Sequence, residues 1–138
     1  MNSALQFNVS PYAPFMQETK VTLGNGIELH VEMGGNPEHP TILLIMGLGA
    51  QMLFWPDFFC KSLIDQGFRV IRFDNRDIGL SSKIREKRKR LNTMKLMSRF
   101  IIGLGNEGAP YTLYDMADDV SMLIDHLGLG KTYIIGAS

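Results

Sequence analysis

A single cysteine, Cys60, stands in the 138-residue sequence. No internal disulfide can form, and a lone thiol fits a reducing compartment. Charge of one sign is also lacking: 14 Lys and Arg offset 14 Asp and Glu. A net charge of zero exerts no general pull on nucleic acid or acidic membranes, so no nucleic-acid partner is expected. No apolar run approaches the roughly 20 residues that a membrane helix requires. The opening Met1–Phe7 has neither the cationic nor the apolar segment of a secretory leader, and a cytoplasmic location is expected. Histidine is scarce. His30, His39 and His126 have no metal-ligand spacing with one another or with Cys60, and neither a metal nor a cofactor is expected. What is present is globular in composition, 45% hydrophobic and 20% charged, enough apolar residue for a core.

The order of elements can be read from punctuation and periodicity. Residues 1–16, with Pro11 and Pro14, read as an irregular lead-in. Glu18–Leu23 and Ile27–Met33 alternate around Gly24-Asn25-Gly26, the signal of a hairpin. Thr41–Met46 is apolar without alternation, as in a strand covered on both faces, and runs into Gly47-Leu48-Gly49. A helix follows, with Pro56 in its first turn and Gly67 at its end, and with Trp55, Phe59, Leu63 and Ile64 on one stripe. Cys60 is expected in its core-facing side. Phe68–Phe73 is a second buried-type strand that empties into the loop Asp74–Ser82.

Leu113–Leu127 carries the strongest helical pattern, with Leu113, Met116, Ala117, Val120, Leu123, Ile124 and Leu127 on one face. Thr112 with Asp115 resembles a capping box, and Gly128 closes the other end. Lys131–Ile135 reads as the last strand and leads to Gly136-Ala137-Ser138. Alternating strands and helices imply a mostly parallel sheet with helices on both faces. Gly-x-Ser at a strand exit is the first half of Gly-x-Ser-x-Gly, in which a sharp strand-to-helix turn exposes a serine. Small neighbours are needed there because the serine's backbone is strained and other chain segments pass close by.

Five features in register resemble the α/β-hydrolase family along nearly the whole sequence. They are the opening hairpin, the strand into Met46-Gly47-Leu48-Gly49, the loop Asp74-Asn75-Arg76-Asp77-Ile78-Gly79-Leu80-Ser81, the helix start Pro110-Tyr111-Thr112-Leu113, and Ile135-Gly136-Ala137-Ser138. The nearest likeness is to small-molecule ester hydrolases of the aclacinomycin methylesterase and cofactor-free haloperoxidase type. The resemblance implies an α/β-hydrolase fold interrupted at its nucleophile elbow. Residues 1–138 would be the N-terminal half of one domain, with the C-terminal half and cap elsewhere. In that family the acid and histidine follow the nucleophile, so the missing half is an expected partner.

By the same resemblance Ser138 is the nucleophile of an acyl-enzyme mechanism on a small-molecule ester. Carbon–carbon bond hydrolysis, perhydrolysis and a non-catalytic binding role are the alternatives. The backbone N–H of Leu48 is the expected oxyanion donor, the bend being shaped by Gly47 and Gly49. Met46 stands where the family usually has histidine, which leaves the main-chain donor intact. Phe54 and Trp55 either line the acyl pocket or pack in the core. The Asp74–Ser81 loop is read as structural, its polar side chains capping backbone groups.

The remaining anomaly is an insertion at 83–109. Within it, between Lys83 and Gly105, Lys83, Arg85, Lys87, Arg88, Lys89, Arg90, Lys95 and Arg99 crowd against one acid, Glu86, ahead of an apolar run. Such a run reads either as a solvated loop over the entrance or as a basic patch making weak contact with anionic membrane through Lys83–Arg99.

Overall fold

The computed structural model describes residues 5–84 and 110–138. The insertion, apart from Lys83 and Ile84 at one end, lies outside the described residues, and so does its proposed membrane contact. Six strands form one sheet: β1 (Asn8–Val9), β2 (Gln17–Thr22), β3 (Glu28–Gly34), β4 (Thr41–Ile45), β5 (Arg69–Phe73) and β6 (Thr132–Gly136). Their spatial order is β1-β2-β3-β5-β4-β6. The sheet is mixed. β4 runs parallel to both β5 and β6, whereas β1, β2 and β3 join as antiparallel strands, with β3 antiparallel to β5.

Strands β2 to β6 form where the sequence favours them. The Gly24-Asn25-Gly26 turn closes the β2–β3 hairpin with Gly26 at φ 82°, and Thr22 faces Glu28 across the ladder. β4 reads Thr-Ile-Leu-Leu-Ile and is buried over its first four residues, as a strand covered on both faces should be. The lead-in is more ordered than its prolines imply. Asn8 and Val9 pair with β2, a contact made by tertiary proximity rather than by any local alternation.

Two helices cover opposite faces. Helix α1 (Asp57–Asp65) begins after Pro56 and ends near Gly67, which adopts φ 87°. Its Phe59, Leu63 and Ile64 pack with Cys60 against Ile42, Leu44 and Val70. Helix α2 (Leu113–His126) places Val120, Leu123, Ile124 and Leu127 against Leu29, Val31, Leu43, Ile71 and Phe73. Leu43 and Leu44, like Val70 and Ile71, are successive strand residues, so the two clusters lie on opposite sides of the sheet.

The capping box at α2 is formed. Thr112 accepts from the Asp115 N–H, and Asp115 accepts from the Thr112 N–H. The apolar stripe, however, holds only from Val120 onward: Leu113 is 74% exposed and Ala117 is exposed. The first half of α2 is fastened through polar groups instead. Arg76 donates to Asp119 in a two-point contact at 2.7 and 2.6 Å and to the Asp115 carbonyl at 3.2 Å.

Cys60 is fully buried, and burial pushes its thiol up from its ordinary value, outweighing the nearby Arg72. A thiol-reactive dye is expected to leave Cys60 unlabelled in the folded protein and to label it in step with urea unfolding, measured by mass. Fast labelling without denaturant would contradict the packing. Among the described residues no helix is long and apolar enough to cross a membrane.

Candidate active site

The parallel strands β4 and β6 deliver two chain turns to the same end of the sheet. Ile45 faces Gly136 in the register, and the ladder continues one step further, with the Ala137 N–H donating to the Ile45 carbonyl at 3.0 Å. Gly47-Leu48-Gly49 and Ala137-Ser138 therefore emerge side by side. Their approach is close enough to dictate a residue type. A Cβ on Gly47 would lie 2.8 Å from the Ala137 carbonyl oxygen and 3.0 Å from the Ser138 Cα. Only glycine fits.

Ser138 is exposed at this strand exit, and Leu48 in the neighbouring bend is 77% exposed. The bend turns on itself through the Ala50 N–H donating to the Gly47 carbonyl, and Gly49 takes φ 82°. Phe54 sits on the 3-10 turn Met52–Phe54 with 70% of its surface open, where a bound molecule can reach it. Trp55 does not share that position. Its ring is buried, stacked on Phe59 at 5.6 Å and grouped with Ile42, Leu44 and Val70, so it belongs to the core.

The bend is held from beneath by β5 and the loop that follows it. The Asn75 amide donates to the Met46 carbonyl at 2.9 Å, just before the bend. The Asp74 carboxylate accepts from the Met52 N–H at 2.9 Å, just after it, and from the Leu80 N–H at 3.2 Å. Arg72 donates to the Trp55 carbonyl at 2.8 Å. Gly79 rests directly on the Asp74 carboxylate with no room for a side chain. The Ser81 hydroxyl donates to the Asp74 carbonyl and accepts from the His30 N–H. The expectation that this loop caps backbone groups describes what these residues do.

Two buried ionic groups escaped the sequence reading. Glu32 and Arg72 are both fully buried and joined at 2.7 Å. His30 is buried between Glu18, 3.0 Å from its Nε2, and Asp74, 3.6 Å from its Nδ1. A usable signal was available: Leu29, Val31 and Met33 alternate with His30 and Glu32 in a sheet covered on both faces. Polar residues so placed have to be paired.

Two of the three histidines lie at the far end of the sheet from Ser138. His39 precedes β4 and His126 ends α2, so both sit at the opening ends of the parallel strands, opposite the exits. Among the described residues no group of three or more His, Cys, Asp or Glu could hold a metal ion.

Residues 40–138 match the family described as the alpha/beta hydrolase fold. The chain belongs to that family. It is 30% identical over 119 residues to a protein named putative carbamate hydrolase RutD of Caulobacter vibrioides, covering 85% of this chain and 35% of that protein. It is 37% identical over 120 residues to rhodomycin D methylesterase DauP of Streptomyces sp. (strain C5), covering 87% of this chain and 34% of that protein. Among solved structures, the enol-lactonase of Burkholderia xenovorans LB400 superimposes with a TM-score of 0.62 at 26% identity, over 86% of this chain and 36% of that one. This α/β-hydrolase chain spans about a third of the length of the curated relatives it matches.

Proposed function

We propose that this chain carries the nucleophile and the oxyanion bend of a serine-dependent carboxylic ester hydrolase. The observation that supports the reading is the contact of Gly47 with the Ala137–Ser138 main chain, with Leu48 the next residue along the bend. The names of similar proteins, a methylesterase and an enol-lactonase, agree with acyl chemistry.

In this reading the Ser138 Oγ attacks an ester carbonyl while a base takes its proton. The carbonyl oxygen becomes an oxyanion held by the Leu48 N–H and by the amide after the serine. Collapse expels the alcohol and leaves an acyl-enzyme that water hydrolyses. The base and its orienting acid would come from chain following Ser138 in the intact protein. Phe54 would contact the acyl or alcohol group.

The test uses the intact protein with a fluorophosphonate probe and p-nitrophenyl butyrate. Wild type is expected to label at Ser138 and to turn over the ester, and Ser138→Ala to lose both, with turnover falling by about 10⁴-fold or more. Labelling elsewhere, or ester turnover that survives Ser138→Ala, would overturn the reading.

A further inference from the structure

We propose that His30 and Asp74 form a positioning pair for the oxyanion bend, an inference that rests on the function proposed above. Five residues, 47–51, lie between two anchors: Asn75 on the Met46 carbonyl and Asp74 on the Met52 N–H. The direction of the Leu48 N–H is set by those anchors, since among the described residues the one hydrogen bond closed within 47–51 is the Ala50-to-Gly47 turn. Asp74 can serve as an anchor because it is 3% exposed and faces two main-chain donors, from Met52 and Leu80.

A carboxylate so deeply buried needs a positive neighbour to stay ionised. Among the described residues, His30 is the cation in ion-pair range. His30 is in turn fixed on its far side by Glu18, with its Nε2–H donating to the Glu18 carboxylate. A ring with a carboxylate at each nitrogen is best satisfied as the imidazolium, donating or presenting N–H on both sides. Lys20, its cross-strand neighbour, is engaged with Glu28 at 2.8 Å.

Burial opposes the imidazolium, but Asp74 and Glu18 outweigh it and raise His30 above its ordinary 6.5. Burial likewise opposes the Asp74 carboxylate, but His30 and the Met52 and Leu80 amides hold it below its ordinary 3.8. A raised histidine contributes fully below 6.5 and is lost as pH rises through its folded value. A lowered aspartate contributes fully above 3.8 and is lost as pH falls through its folded value. The pair is therefore intact in mildly acid solution and weakens as pH rises through the folded value of His30, above 6.5.

Two measurements on the intact protein test the pair. In the wild type, NMR should show the His30 ring titrating with a midpoint above 6.5, and the Met52 and Leu80 amide signals shifting with that same midpoint. Amides that ignore the His30 titration would overturn the proposal without any variant having to fold. In kinetics with p-nitrophenyl butyrate, normalised to fluorophosphonate-labelled serine, Asp74→Ala should lose about tenfold or more in kcat with KM nearly unchanged. Asp74→Asn, which keeps an acceptor for Met52, should recover part of that loss, and His30→Gln should remove any fall in kcat that follows the His30 titration. Normalised kcat equal to wild type in Asp74→Ala would overturn the pair's role. Failure of wild-type Ser138 to label would instead remove the hydrolase reading, and the NMR titration would still decide whether the pair holds the bend.

Discussion

Gly47→Ala is expected to lower kcat for p-nitrophenyl butyrate by about 100-fold with little change in KM. The new methyl would meet two main-chain atoms, the Ala137 carbonyl oxygen at 2.8 Å and the Ser138 Cα at 3.0 Å. Neither can rotate aside as a flexible side chain could, so the bend or the strand exit has to move. Overpacking of this kind costs about 1–3 kcal/mol, little enough for a protein with its core intact to stay folded. Catalysis is less forgiving, because a displacement near 1 Å between a nucleophile and its oxyanion donor is felt mainly in the transition state. Gly24→Ala supplies the comparison: no atom lies within 4 Å of the added carbon, and it sits in the β2–β3 turn, separated from β4 and β6 by β5. Activity there should match wild type. If Gly47→Ala retained full kcat, the two exits would not meet as described.

Glu32→Ala is expected to destabilise the intact protein by about 3–5 kcal/mol, measured by equilibrium urea unfolding. Glu32 and Arg72 are both fully buried; the guanidinium donates to the carboxylate from Nε at 2.7 Å, and its Nη2 lies in ion-pair contact at 2.7 Å. Removing the carboxylate strands a cation whose other charged partner, Asp57, is 3.3 Å away with a side chain 53% exposed. Water screens that second contact, so it offsets only part of the loss. The double variant Glu32→Leu with Arg72→Met removes both charges and should be far less destabilised than the single one. A single-variant loss below about 1 kcal/mol would mean that the guanidinium finds solvent, contrary to its burial here. Activity should also suffer in Glu32→Ala, since Arg72 carries the Trp55 carbonyl just beyond the bend.

The elements that the sequence displays plainly are those whose local signal and tertiary role coincide. The Asn-Gly turn, the apolar runs of β4 and β5 and the Thr112–Asp115 box each needed no distant partner to be recognised. β1 has two residues and depends on Gln17 and Glu18 across the ladder, so nothing local marks it. The α2 stripe was readable in kind but not in extent, because periodicity cannot tell that Arg76 and Asp119 replace apolar contact in its first half. The stretches Gly47–Gly49 and Gly136–Ser138 stood out through one motif and one resemblance, and in the fold Gly47 lies against the Ala137–Ser138 main chain. His30 was passed over. Its partners Glu18 and Asp74 come from another strand and a loop, 12 and 44 positions away in the sequence, and only the folded register brings them to the ring.

The clasp between Arg76 and Asp119 has an evolutionary consequence. Together with the Lys83 contact to the Gly79 carbonyl, the Ile84 N–H on Asp77 and the Arg76 guanidinium over Tyr111, it ties the chain on both sides of residues 85–109. Whatever those residues become, the flanks stay pinned to each other and to the core. A descendant could double the length of a pliant segment there for about 0.6 kcal/mol of extra closure entropy. Sequence can therefore be exchanged between those flanks at little cost to the fold, while Gly47 keeps its contact with Ala137 and Ser138.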